Sequence, residues 1–240
     1  MEKLLLAVPC LAVPAMLLVM AAFVAIVVLV ILRSRKQEEA YTRQAAAWGF
    51  QYYADDPWNL PERYEDAFDF FRQGSSRSAS HILAGRMDGF EVLGFEYEYT
   101  TGSGKDETTW NYSVAVFELP ILAPHLRLRD ESFLDKMAAW VGHDDINFES
   151  DEFSRRYHVK CDQPKFAQDF FHPRLIEFLL ACGRCPGIET RGTLLVLYDP
   201  EQTGVERIVR LVEIGRQMIR SIPDYVRHER PADGKTTPAS

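Results

Sequence analysis

The chain has 240 residues, 47% of them hydrophobic and 26% charged, with 27 Lys and Arg against 35 Asp and Glu and a formal net charge of −8. Setting aside residues 1–36, which hold Lys3, Arg33, Arg35, Lys36 and Glu2, leaves 23 basic and 34 acidic residues, a net −11. A surface of that sign is repelled by phosphate backbones, so the composition argues against nucleic acid and, beyond the juxtamembrane cluster, against anionic lipid heads.

Leu4 to Leu32 contains no charged, amide, hydroxyl or histidine side chain. As a helix these residues would run roughly 43 Å, against a hydrocarbon core of about 30 Å. The predicted membrane span is residues 11–32, with Pro9 near one interface and Pro14 offering a kink. A cleaved signal peptide fits poorly, because signal cores run about 7–15 residues and end at small residues in a polar setting. Here Ala21, Ala22 and Ala25 lie mid-run. Cys10 lies too early in the run, behind Val8-Pro9, to match a lipidated cysteine. Arg33, Arg35 and Lys36 outweigh Lys3 and the terminal amine, which places the following domain in the cytoplasm, held at the inner membrane by a single pass. Of four cysteines, Cys10 falls within the anchor. The other three suit a reducing compartment better than a disulfide framework.

From Ser34 the pattern continues as helix to Trp48, ending at Gly49. Aromatic residues between Trp48 and Phe71 then read as the first layer of a core, because Asp55, Asp56, Glu62, Glu65 and Asp66 are interleaved with them. Residues 78–87 and 90–100 form a predicted hairpin around Asp88-Gly89. Leu93, Phe95, Tyr97 and Tyr99 alternate with Gly94, Glu96 and Glu98, the period of a half-buried strand. Residues 109–119 read as another strand, and Leu126–Arg129 as a short edge strand. Asp130 caps a predicted helix through residues 133–141. Phe153–Cys161 reads as a strand. Asp162 and Pro164 open a helix that Pro173 breaks in two, and residues 188–198 read as a strand pair around Arg191-Gly192. Thr203 to Glu206 has the form of a capping box, opening a helix that lasts to Pro223. Residues 1–36 are thus the anchor, 37–226 one soluble α+β domain, and 227–240 a disordered polar tail. The expected fold is an N-terminal transmembrane helix followed by an antiparallel sheet with helices packed on one face.

Two clusters suggest chemistry. His158, Cys161, Cys182 and Cys185 give H-x2-C…C-x2-C, close to a zinc-ribbon spacing. On a strand, however, His158 and Cys161 point to opposite faces. The acidic segment 143–152 places Asp145, Asn147 and Glu149 like the first EF-hand ligands. Ser150 then stands where the turn glycine belongs and Arg156 where the bidentate glutamate belongs. Its simpler reading anchors Ile146 and Phe148 in the core, with Ser150 or Asp151 capping a turn. Glu96 and Glu98 share a strand face about 7 Å apart, where solvation explains them better than catalysis. Gly-x-Ser-x-Gly, a phosphate-binding Gly-rich loop, a dinucleotide fingerprint and His-Glu-x-x-His are all missing from the sequence.

Glu152-Phe153-Ser154-Arg155-Arg156-Tyr157-His158-Val159, with Asp162, Ala167, Pro173-Arg174-Leu175 and Ile188…Gly192-Thr193-Leu194-Leu195-Val196, resembles a bacterial family of membrane-anchored domains whose function is not established. Gly85 to Gly89 and Phe95 to Tyr99 fit it as well. The resemblance implies one or two transmembrane helices followed by a soluble α+β domain, and it carries over no catalytic residue. The expectation is therefore a membrane-tethered, non-catalytic domain that binds a protein partner or organises an assembly, with no catalytic, cofactor or metal residues. The alternative is a metal-dependent module or enzyme built on His158, Cys161, Cys182 and Cys185 or on residues 143–152.

Overall fold

The computed structural model describes residues 8–130, 146–200 and 203–232. The chain divides into two compact units, residues 1–43 and 44–240. Helix α1 (Val8–Trp48) is continuous. Its segment Met16–Leu32 is apolar on every side, and the large hydrophobic side chains there are 39–72% exposed. Mean hydropathy reaches 2.9 in its most apolar window, so α1 is long and apolar enough to cross a membrane. Gly49, at φ +69°, takes the left-handed conformation that ends a helix, as the sequence predicts.

The second unit holds β1 (Gln51–Asp55), the short helix α2 (Leu60–Glu65), β2 (Ser75–Met87), β3 (Phe90–Thr101) and β4 (Thr108–Asp130). After them come α3 (Asp151–Arg156), β5 (Tyr157–Cys161), α4 (Pro164–Phe170), α5 (Pro173–Ala181), β6 (Gly187–Pro200), α6 (Val205–Arg220) and α7 (Asp224–Glu229). The strands form one antiparallel sheet, ordered β1-β2-β3-β4-β5, with β6 also paired to β4. The α+β architecture behind an apolar helix is the one expected.

Strand β4 organises the sheet. Its first half pairs with β3 and β6, through Leu93↔Val116 and Val116↔Val196; its second half pairs with β5 and β6, through Leu128↔Val159 and Leu128↔Ile188. Leu126–Arg129 is therefore the buried continuation of the central strand, not an edge strand. Pro120 and Pro124 made the run look broken. The strand absorbs them at register shifts between Glu118 and Leu126, where a missing N–H costs no ladder bond. In the same way residues 187–200 form one strand rather than a pair, because Gly192 at φ +61° carries a local irregularity instead of a turn.

Other boundaries move by a turn or less. Residues 151–156 are helical, capped by Ser150, whose Oγ accepts from Phe153 N at 3.3 Å, and β5 begins only at Tyr157. Gln163, not Asp162, is the N-cap of α4. Gly204 opens α6 without any side-chain cap, so the Thr203–Glu206 box does not form as drawn. Residues 224–229 are helical, and Leu122 N donates to Arg230 O at 2.9 Å, so order extends past Val226 into the segment expected to be disordered. The predicted helix over 133–141 lies outside the described residues.

The two faces of the sheet are covered differently. On one, α6 lies so close that a Cβ on Gly94 would sit 2.4 Å from Ile208 Cγ2, and one on Gly215 would sit 2.2 Å from the Phe117 ring. On the other, residues 60–72 lay an aromatic layer over Phe95, Tyr97, Tyr112 and Tyr198. Phe70 is its centre, stacked on Tyr198 at 4.1 Å and edge-on to Tyr112 at 4.9 Å. Such ring pairs add to the burial of aromatic area.

Candidate functional site

That aromatic layer covers only part of its face. Past Tyr64, among the described residues, a groove of about 650 Å³ opens over the sheet. Its floor is set by register: Ala84 lies opposite Leu93, Leu93 opposite Val116, and Leu194 opposite Glu118. Ala84, Leu93 and Leu194 are half-buried and Val116 is buried, so the floor is an uncapped extension of the hydrophobic core. A volume in the range of about 300–1,000 Å³ is usual for small-molecule sites.

The walls come from the segment leading into α2. Asp56 orders it: its carboxylate accepts from Trp58 N at 2.9 Å and from Leu60 N at 2.6 Å. This holds Trp58 against Tyr53 on β1, with ring centroids 4.8 Å apart and planes at 69°. Trp58 is 38% exposed, a large apolar ring left partly in water. Tyr53 Oη donates to Gln51 Oε1, which sets two polar groups at the same wall.

Four charged side chains complete the lining: Arg63, Arg86, Glu91 and Glu118. Arg63 lies over the Tyr64 ring at 5.7 Å. Arg86 pairs with Glu91 at 3.8 Å and donates to Gly89 O at 2.8 Å. Two arginines thus balance two glutamates.

A second polar feature is buried in the sheet. Arg129 and Glu189 are 2% and 0% exposed. Arg129 Nη2 donates to Glu189 Oε1 at 2.8 Å, Arg129 Nε donates to Tyr198 Oη at 2.9 Å, and Tyr198 Oη donates to Glu189 Oε1 at 2.9 Å. Burial pushes the Glu189 carboxyl up, but His125, the Arg129 guanidinium and the Tyr198 hydroxyl outweigh it and hold the pKa below the ordinary glutamate value. Glu189 Oε2 and His125 Nε2 stand 3.9 Å apart, too far for a hydrogen bond. Phe70, stacked on Tyr198, ties this network to the aromatic layer.

Among the described residues, the His158, Cys161, Cys182 and Cys185 set does not come together as a metal site. His158 and Cys161 lie on β5, Cys182 is the C-cap of α5, and Cys185 is buried before β6. Among the described residues no three His, Cys, Asp or Glu side chains converge as a metal-ligand set. Burial raises the thiol pKa values of Cys161, Cys182 and Cys185, the opposite of an activated thiolate. In the acidic segment, residues 143–145 lie outside the described residues. Farther on, Phe148 packs edge-on to Phe153 at 5.1 Å and Ile146 N donates to Val159 O at 2.9 Å, but both side chains are half-buried at the margin of the core rather than inside it. Glu96 and Glu98 lie opposite Ser113 and Asn111 on the face away from the aromatic layer.

Sequence reasoning missed the groove, although Trp58 and Tyr53 were visible among the aromatics. It also missed Arg129 and Glu189, whose signal was a charge at an inward position of an apolar strand.

Comparison with solved structures finds a likeness to the crystal structure of the mycobacterial trehalose monomycolate transport factor A, TtfA, with a TM-score of 0.56 at 13% identity. It covers 79% of this chain and 97% of that one. At that identity the likeness is one of fold. No family model matches the chain, and no curated protein matches it either.

Proposed function

We propose that this chain is a single-pass protein of the inner membrane whose cytoplasmic domain, residues 37–226, acts without catalysis as an accessory factor in transport. In this reading the domain docks a partner protein or organises an assembly at the bilayer. The observation that carries it is α1, with seventeen consecutive exposed residues from Met16 to Leu32 and no polar side chain among them. Leaving that surface in water would be costly, since each buried CH₂ is worth about 0.8 kcal/mol. Arg33, Arg35 and Lys36 support the orientation through the positive-inside bias. The fold shared with a protein described as a transport factor supports the accessory role, and so does a groove that pairs aromatic and apolar walls.

Two measurements test this reading. The full chain should stay with membranes through an alkaline carbonate wash. A reporter fused at its carboxyl end should be active in the cytoplasm and silent outside. Release by carbonate, or an active external reporter, overturns it.

A further inference from the structure

We infer that the groove beside Trp58 is a binding site for an uncharged amphiphile, with a hydrocarbon chain on the Leu93–Val116–Leu194 floor and a hydroxylated head at the Tyr53–Trp58 wall. The inference rests on the reading above, that the domain works at a bilayer, and names the ligand class of the transport role. Three properties of the groove select this chemistry.

The floor is hydrocarbon. Ala84, Leu93, Val116 and Leu194 are contiguous through cross-strand pairing, and they continue the hydrophobic core into open space. A purely polar ligand would leave that surface wet, whereas an alkyl chain removes it from water at about 25 cal/mol per Å².

The wall suits hydroxyl groups. Trp58 and Tyr53 present ring faces and edges, against which the C–H face of a polyol can lie. Gln51, Arg63 and Glu118 bring both donors and acceptors to the same lining.

The charge is balanced. Arg63 and Arg86 share the lining with Glu91 and Glu118, and Arg86 is paired with Glu91. The chain beyond residue 36 carries a net −11, which repels an anionic head. A carboxylate or phosphate head would therefore meet no net attraction, while a neutral head meets no penalty.

The test uses the full chain in phosphatidylcholine vesicles holding a monoacylglycerol with a photoreactive diazirine in its acyl chain. Cross-linked peptides are mapped by mass spectrometry, with labelling of α1 residues 16–32 as the internal measure of bulk lipid contact. The peptides carrying Leu93 and Leu194 should label as well. Leu194→Arg should reduce their labelling about tenfold while leaving α1 unchanged, the scale on which a blocked apolar subsite discriminates. Trp58→Ala, at an exposed wall position, should reduce it less and lower the melting temperature only slightly. The same chain supplied as a free fatty acid should label the floor weakly. Labelling confined to α1 overturns the inference, and so does floor labelling that ignores both substitutions or is equally strong with the fatty acid. A chain that survives carbonate washing yet shows no floor labelling would sink this site alone and leave the membrane reading standing.

Discussion

Residues 16–32 and residues 60–72 are both dense in large apolar side chains, yet they occupy opposite environments. In the first stretch those side chains are exposed; in the second, Leu60, Tyr64, Phe68, Phe70 and Phe71 are buried. The difference lies in what separates them. Between the aromatics stand Glu62, Arg63, Asp66 and Arg72, all exposed, so the segment has one side for water and one for the sheet. Between Met16 and Leu32 nothing polar intervenes, so that helix has no side to give to water. Hydrophobicity alone does not decide burial in a protein core; the spacing of its interruptions does.

The comparison breaks most sharply if α1 is given polar residues. Met20→Arg, Val24→Arg and Val28→Arg together would cost on the order of 9 kcal/mol at a span's centre, at about 2.5–3.5 kcal/mol each. The Leu, Ile, Val and Phe residues of the span return about 0.3–0.6 kcal/mol apiece, so three charges cancel the insertion energy. The triple variant should leave the membrane fraction, measured by carbonate extraction. Its domain should still melt at the wild-type temperature if the two regions are energetically separate.

Within the aromatic layer the converse change is Phe70→Ala. It empties the centre of a cluster that includes Tyr97, Tyr112 and Tyr198, and should cost about 3–5 kcal/mol in chemical denaturation. Membrane attachment should not change. Loss of attachment in this variant would mean that the domain, rather than α1, holds the protein to the bilayer.

The buried pair beneath that layer gives an effect of similar size with its own pH signature. Arg129→Met leaves Glu189 without its guanidinium partner and should cost about 3–5 kcal/mol near neutral pH. In the wild type the Glu189 pKa is held below the unfolded-state value of about 4.3. Its contribution is therefore fully present above that value and is lost as pH falls through the depressed folded value. In Arg129→Met burial acts with less opposition, so this acid limb of the stability profile should flatten. An unchanged acid limb would mean that His125 and Tyr198 suffice to hold the carboxylate.

How much of this was legible in the sequence follows from the same contrast. The apolar run, the Asp88-Gly89 hairpin, the alternation from Leu93 to Tyr99 and the break at Pro173 are local patterns, and each appears where it was read. The misreadings occur where a long-range partner overrides a local signal. Pro120 and Pro124 look like strand ends, but β6 and β5 pair with the chain on either side of them. Arg127 and Arg129 suggest a solvated edge, yet Asp69 and Glu189, distant in sequence, pair with them, the second pair fully buried. The groove could not be read for the same reason. Its floor draws on β2, β3, β4 and β6, and only the sheet register makes them neighbours.

The smallest effect on stability separates fold from function most cleanly. Trp58 is the exposed member of the Tyr53 pair, held by Asp56 at the wall of the groove rather than under the aromatic layer. Its removal forfeits the ring pair with Tyr53 and should cost about 0.5–1.5 kcal/mol in unfolding. Phe70→Ala lies in the same stretch of chain but under the sheet's cover, and should cost several times more. If Trp58→Ala proves as destabilising as Phe70→Ala, the wall of the groove is part of the core, and the line drawn here at Tyr64 between covered and open sheet is in the wrong place. If its cost in unfolding stays that small while labelling of the Leu93 and Leu194 peptides weakens, the exposed tryptophan serves what enters the groove.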